Sequence, residues 1–314
     1  MIPLMTSELK MRLRGRRWWL LLLLWVAVLF LLLLLVWKVT QPISFGPTRD
    51  PIGPIMFGSL MMLVLGFAAL IVPSLTATSI NGEREKGTLA VLQATLLRPH
   101  QIVLAKFGAA WITSLAFVVA TLPLTLWCIL EGGVGLLRVA AVYLVLVVTT
   151  AFLVSIGLGV SSFIKRSALS AAATYGVVGT LIFGTLFFFG ISMAGAPQRE
   201  VRQQLPDGTE YVTFEPVIGQ RWLWLAPNPF VVLADAAPGT SPQGDGDPLT
   251  WISEAARSTR APSGRFLTDP GRSGPPLWPA GIAIYAALAL ISVLVARGRL
   301  RVPARKLVPG ERIA

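Results

Sequence analysis

Residues able to do chemistry are few in this chain of 314: one histidine (His100), one cysteine (Cys128) and 15 carboxylates. A lone cysteine inside an apolar run makes neither a disulfide framework nor a thiolate cluster for zinc. With one histidine, a metal site would have to be nearly all carboxylate, and the carboxylates are scattered. Asp245 and Asp247 in GDGDP are calcium-type residues, but no third ligand follows at a fixed spacing, so the stretch reads as a solvated turn. Asp207, Glu210, Glu215 and Asp235 belong to one region without a motif, and no histidine accompanies them. The sequence has no G-x-x-x-x-G-K-[ST] phosphate loop. No catalytic, metal or cofactor residue is therefore assigned in this chain.

The residues that stand out are ordered charges. NGEREKGTLAVLQATLLRPH, residues 81–100, holds Glu83, Arg84, Glu85, Lys86, Arg98 and His100 between two apolar runs. Gly87 tolerates the left-handed conformation that ends a helix. Thr88 is then a candidate N-cap for a new one. Leu89, Leu92 and Leu96 fall at i, i+3 and i+7, flanked by Val91 and Thr95, an apolar stripe of about two turns. Pro99 suits the first position of the following helix. The expected path is a helix leaving the membrane, a sharp break, a short amphipathic helix across the membrane face, and re-entry at Lys106. A helix this short is marginal alone, so its stripe has to be buried against lipid, its own bundle or another protein. The acidic Glu83 and Glu85 count against simple lipid adhesion, and fixed charges beside an apolar stripe suit docking into a groove.

The elements that must position this segment are membrane spans. The chain is 54% hydrophobic and 13% charged, against about a quarter charged in soluble domains. Six uncharged runs reach the ~20 residues that cross a bilayer, at about 18–37, 55–75, 107–130, 139–163, 168–191 and 277–296. The first has a basic leader, yet its core is too long for a cleaved signal and no small-x-small site follows. The predicted fold is an all-α membrane protein, one transmembrane domain over 1–314. Lysine and arginine set the orientation. With the N-terminus in the cytoplasm, the cytoplasmic segments hold 17 basic and 4 acidic residues, and the other side 10 and 11. The net charge of +12 is thus explained by topology, and a nucleic-acid partner is not needed. Both termini are then cytoplasmic, and 197–276, with 12 prolines and 8 glycines, is an outside loop. Within it, 215–236 reads either as an interfacial or re-entrant helix or as a loop packed on its own span ends.

None of the six spans carries Asp, Glu, Lys, Arg or His in its middle, which argues against an ion-coupled carrier, a charged-ring channel or an intramembrane metalloprotease. They do carry small residues in rows. Ala172, Gly176, Thr180 and Gly184 continue an i, i+4 row from Ala168, and Ala151, Ser155 and Gly159 form another. Both rows are expected to pack within the bundle, with a dimer seam as the alternative. Pro123 should kink its span. Thr113, Ser114, Thr121 and Thr125 should mostly bond their own helix backbone. Arg138 is expected to snorkel to the headgroups.

The segment Glu83-Arg84-Glu85-Lys86-Gly87-Thr88-Leu89-Ala90-Val91-Leu92, with Lys106 further on, resembles the signature of the ABC-2 type transporter permeases. Ala90, Leu96, Arg98 and Ala105 depart from it. The span count, the cytoplasmic ends and the loop before span 6 fit the same family. The resemblance implies that the short helix after Gly87 is a coupling element contacting a separate ABC ATPase subunit, which binds the ATP and Mg. Glu83, Arg84, Glu85, Gly87, Thr88, Leu89, Leu92 and Lys106 are then the coupling residues. It also implies a second permease, identical or not. The expected function is that of an exporter subunit for an apolar or amphipathic compound. The alternative is an ATPase-coupled mechanical or signalling subunit that moves no cargo. The expected location is a bacterial cytoplasmic membrane, since 21 arginines against 6 lysines suit a high-GC genome.

Overall fold

The computed structural model describes residues 2–13, 15–40, 51–85, 87, 99–204, 210–237, 239, 246–260 and 274–300. Six helical runs are long and apolar enough to cross a membrane: Trp18–Thr40, Gly53–Glu85, Pro99–Leu130, Leu136–Phe163, Ser167–Ala194 and Trp278–Arg299. Hydrocarbon offers a backbone no water to bond, so uncharged runs of this length close their hydrogen bonds internally as helix. The second and third runs outlast their apolar stretches, because helix continues beyond them on the side of residues 76–106.

The chain begins with α1 (Ile2–Leu13) and α2 (Arg16–Thr40), followed by α3 (Gly53–Thr76) and the one-turn α4 (Asn81–Glu85). Span 3 is α5 (Pro99–Val119) and α6 (Leu122–Leu130), and span 4 is α7 (Leu136–Phe163). Span 5 comprises α8 (Ser167–Gly179), a π-helical turn (Thr180–Gly184) and α9 (Thr185–Ala194). The last span is α12 (Trp278–Arg299). Helices α3 and α7 are the centre of the bundle: 56% of each apolar window is buried, against 11–17% for spans 1, 5 and 6. Phe57, Leu60, Met61 and Leu65 face Leu146, Leu153 and Leu158 in the core. Tyr285 of α12 stacks on Phe152 of α7 with ring centroids 4.1 Å apart.

Pro123 does break span 3. It has no N–H for the Val119 carbonyl. The break lies at Ala120–Thr121, where the Thr121 amide turns to the Val118 carbonyl at 3.1 Å. The indole N–H of Trp25 in α2 donates to the Phe117 carbonyl at 3.0 Å. Thr113, Ser114, Thr121 and Thr125 bond their own backbone as expected, and the Tyr143 hydroxyl joins Thr121 and Thr125 at 2.9 and 2.7 Å.

The two rows of small residues go different ways. In α7, Ser155 and Gly159 are buried and Ala151 half-buried, and a side chain at Gly159 would crowd Ser292 of α12. In span 5, Ala172, Gly176 and Thr180 are exposed and Gly184 half-buried. The inward face there is Ser170, Thr174, Val178 and Thr185. The expectation that this second row packs within the chain is corrected. Both faces of span 5 are apolar or small enough for lipid, and hydroxyls at Ser170, Thr174 and Thr185 turn one of them inward.

At Gly157 the central helices approach closely, and any side chain there would overlap Thr76. Gly157→Leu is therefore expected to force α3 and α7 apart and cost about 3 kcal/mol through overpacking. The measurement is the thermal unfolding midpoint in detergent, and a midpoint equal to wild type would refute this close contact.

The region before span 6 has structure of its own. A two-stranded antiparallel ribbon, β1 (Gln198–Gln204) and β2 (Glu210–Pro216), pairs Gln198 with Pro216 and Gln204 with Glu210. It was not expected. A 3₁₀ turn (Arg221–Trp224) leads to α10 (Pro229–Ala236), and α11 (Pro248–Ser258) follows. Asn228 caps α10, accepting the Phe230 amide at 2.9 Å, while its own amide donates to the Ile182 carbonyl in the π turn at 2.8 Å. Val232, Leu233 and Ala234 are buried in the main core, and Gly281 of α12 leaves room for Val232. So 215–236 is mostly packed against spans 4, 5 and 6, with the short helix α10 buried among them, although Trp224 stays half exposed, stacked on Phe188 at 5.3 Å.

Two acids expected to be solvated or without a role are structural. Asp235 is fully buried and accepts Arg257 Nε at 2.5 Å and the Leu277 and Trp278 amides at 2.5 and 2.7 Å, which fastens α10 to α11 and caps α12. Asp247 is not in a solvated turn. It caps α11 through the Leu249 and Thr250 amides at 3.3 and 3.1 Å and forms a buried ion pair with Arg138. Arg138 accordingly does not snorkel: it is 3% exposed. Both corrections have one cause. A folded cap covers the end of span 4 that the sequence reading left in water, and a buried charge requires a partner.

Candidate coupling site

The path from α3 into the charged segment is nearly continuous. Helix α3 ends at Thr76, a turn spans 77–80, and α4 adds Asn81–Glu85. The run stops at Gly87, whose amide bonds the Arg84 carbonyl at 3.1 Å and whose φ is +72°, a conformation that disfavours any Cβ. Thr88, Leu89 and Leu92, with the rest of the expected short helix, lie outside the described residues. Helix begins again at Pro99.

Lys106 sits two turns into α5 and is 2% exposed. Its ammonium donates to Glu8 Oε1 at 2.8 Å and to Glu83 Oε1. A buried ammonium is costly unless carboxylates neutralise and bond it. Here one comes from α1 and one from α4, with Glu8 10% and Glu83 25% exposed in their side chains. Helix α1 is held along the start of α5 for a second reason: Met5 fills the space beside Gly108. Glu83 and Lys106 thus meet across α4 and α5.

Other polar contacts fix the same segment to spans 4 and 5. Ser161 near the end of α7 accepts the Ile80 and Asn81 amides at 3.0 and 3.3 Å and donates to Asn81 Oδ1 at 3.1 Å. The Asn81 side chain donates onward to the Ile164 carbonyl at 3.3 Å. Glu85 reaches the first turn of α8, where its carboxylate accepts the Ser167 amide at 2.8 Å and the Ser167 hydroxyl at 2.7 Å. It caps a helix it does not belong to. The Ser167 hydroxyl and amide bonds hold the Glu85 carboxyl below the usual range. Ser170 donates to the Ala77 carbonyl at 2.6 Å. Arg84 is half-buried, and Gly87 faces outward.

Glu8, Asn81, Ser161, Ser167 and Ser170 were missed by sequence reasoning. Glu8 had a signal, as the only acid in a basic leader. The others had none, because each bond joins residues about 80 apart or more in the chain. The cluster sets the Ser167 hydroxyl on the Glu85 carboxylate at one edge. It holds carboxylates, an ammonium, an amide and hydroxyls, all engaged in joining α1, α4, α5, α7 and α8 at one end of the bundle. The family model described as ABC-2 family transporter protein matches residues 2–301. The chain belongs to the ABC-2 family of transporter proteins. This ABC-2 chain is a membrane permease with six apolar spans, and the match runs through the whole bundle, the α10–α11 cap included. No curated protein matches it.

Proposed function

We propose that this ABC-2 permease is half of the membrane part of an ABC exporter, driven by a separate ATPase subunit that docks on residues 81–100 and binds the ATP and Mg. The observation that carries this reading is the double ion pair of Lys106. The docking segment is held to α1 and α5 by that ammonium and to α7 and α8 by Asn81 and Glu85. A push on it therefore reaches four elements of the bundle at once. Closure of the ATPase dimer would move them as a group and reshape the path between two permeases. The second permease would lie against span 5, whose exposed Ala172, Gly176 and Thr180 allow close helix approach. An uncharged span interior suits an apolar or amphipathic cargo. The charge asymmetry supports cytoplasmic termini in a bacterial cytoplasmic membrane.

The second reading, a mechanical subunit that moves no cargo, is favoured by the outer cap. Helices α10 and α11 are bonded to span ends, so motion of the bundle would reach the outer surface.

Purification of the tagged chain from native membranes in mild detergent tests both. An ATPase subunit is expected with wild type. Glu83→Ala with Gly87→Pro is expected to insert normally, because Lys106 keeps Glu8, yet to lose ATPase stimulation by an order of magnitude or more. Full transport or full stimulation in that double variant would remove the coupling assignment. Stimulation without movement of an amphiphile across vesicles would select the mechanical reading.

A further inference from the structure

A cleft of about 460 Å³ opens between α2, α3 and α5. It lies in the half of the bundle nearer residues 1–17 and 76–106, since its walls are the first half of α2, the last part of α3 and the middle of span 3. Trp18, Trp25, Phe67 and Phe117 form its inner wall. Leu21 and Leu24 stand at its mouth, 54% and 58% exposed on the outward face of α2.

The rings hold the cleft open and rigid. Trp18 and Trp25 meet Phe117 edge-on at 5.0 and 5.5 Å, and Trp25 meets Phe67 at 5.7 Å. Trp25 is further pinned by its bond to the Phe117 carbonyl beside the Pro123 break. These rings lie between three helices, and only 17% of the apolar window of span 1 is buried. The only hydroxyls on the lining are already satisfied: Thr113 bonds the Ala109 carbonyl and Ser74 the Ile71 carbonyl, each at 2.7 Å. The rest of the lining is apolar apart from the indole edges of Trp18 and Trp25, so the cleft offers little to a polar ligand. Its size is that of small-molecule sites, roughly 300–1,000 Å³, and its mouth faces hydrocarbon. Beyond its end, Lys10 and Arg16 are exposed.

We propose that this cleft is a binding site for one acyl chain of an anionic phospholipid of the surrounding bilayer, with the headgroup phosphate at Arg16. The chain occupies the ring-walled space as a resident ligand, distinct from the lipid that slides along the outward faces of spans 4 and 5. Juxtamembrane basic residues favour anionic headgroups by about 1 kcal/mol per charge, roughly a fivefold preference.

The test places the full-length chain in nanodiscs of phosphatidylcholine and phosphatidylglycerol in equal parts, with a trace of either lipid carrying a mid-chain diazirine. After illumination, adducts are mapped by mass spectrometry. Labelling from phosphatidylglycerol is expected to concentrate on Leu21, Ile71 and Thr113 over Leu144, which is 64% exposed on the outward face of α7. Ile71→Trp fills the cleft and is expected to abolish that concentration while Leu144 labelling stays. Leu24→Trp, at the exposed mouth, is the control should Ile71→Trp fail to fold, and is expected to do the same. Arg16→Gln is expected to lower the phosphatidylglycerol preference about fivefold. Labelling no denser in the cleft than at Leu144, or unchanged by either tryptophan, overturns the site. Equal labelling from both headgroups in wild type overturns the anionic assignment.

Discussion

Lys106→Met is expected to destabilise the detergent-solubilised permease by about 3 kcal/mol and to abolish ATPase stimulation. Removing the ammonium leaves Glu8 and Glu83 facing each other with no counter-charge. A fully buried broken pair costs about 3–5 kcal/mol, and the partial exposure of Glu83 places this one at the lower end. Lys106→Arg is not an adequate replacement, because a planar fork does not fit a site where two carboxylates approach one point charge from different helices. The combined variant Glu8→Gln, Lys106→Met, Glu83→Gln removes every charge together, so it should regain most of the stability. It should not regain ATPase stimulation if the ion cluster is what ties the docking segment to α1 and α5. Thermal unfolding and ATPase assays on these variants separate the two effects. An unchanged unfolding midpoint for Lys106→Met would show that the cluster contributes nothing, and full stimulation by the triple variant would show that coupling runs elsewhere.

Asp247→Ala carries the other large expected effect, about 4 kcal/mol, read out mainly as loss of the α10–α11 cap. Two losses add. The helix α11 loses its N-cap, worth about 1 kcal/mol, and Arg138 is left buried without its ion partner, at about 3 kcal/mol or more. Hydrogen exchange at residues 249–256 is expected to rise sharply while α3 and α7 stay protected. Asp247→Glu offers little relief, because Asp247 lies directly against Gly58 of α3, leaving no space for a longer side chain. Arg138→Met with Asp247→Asn should restore much of the loss, since asparagine still caps α11 and no lone charge remains. Exchange at 249–256 equal to wild type in Asp247→Ala would refute the ion pair as the fastening of the cap.

Much of this architecture was legible because hydrocarbon imposes local rules. The six spans follow from length and the absence of charge, and helix is the form in which such a run can satisfy its own backbone. The Pro123 break and the Gly87 stop follow from single residues, one lacking a donor and one lacking a Cβ. Glu83 and Lys106 were drawn together by a family pattern, which records their joint occurrence without saying what they touch. Arg138, Asp235 and Asp247 were misread for one reason. Proline and glycine made 197–276 look like open loop, so its charges were placed in water, whereas α10 and α11 fold back onto the bundle and enclose them.

What the sequence by itself determined is therefore the solvent in which the chain folds, the number of spans and the positions where helix must stop. Each rests on properties of neighbouring residues: hydropathy, a missing amide hydrogen, a missing side chain. The tertiary structure alone decided which small-residue face turns inward, which acid meets which base, and that α1 joins the Lys106 ion cluster through Glu8. Those outcomes depend on helices distant in sequence burying charges and hydroxyls that cannot stay unpaired out of water, and no local pattern states which partner will be there.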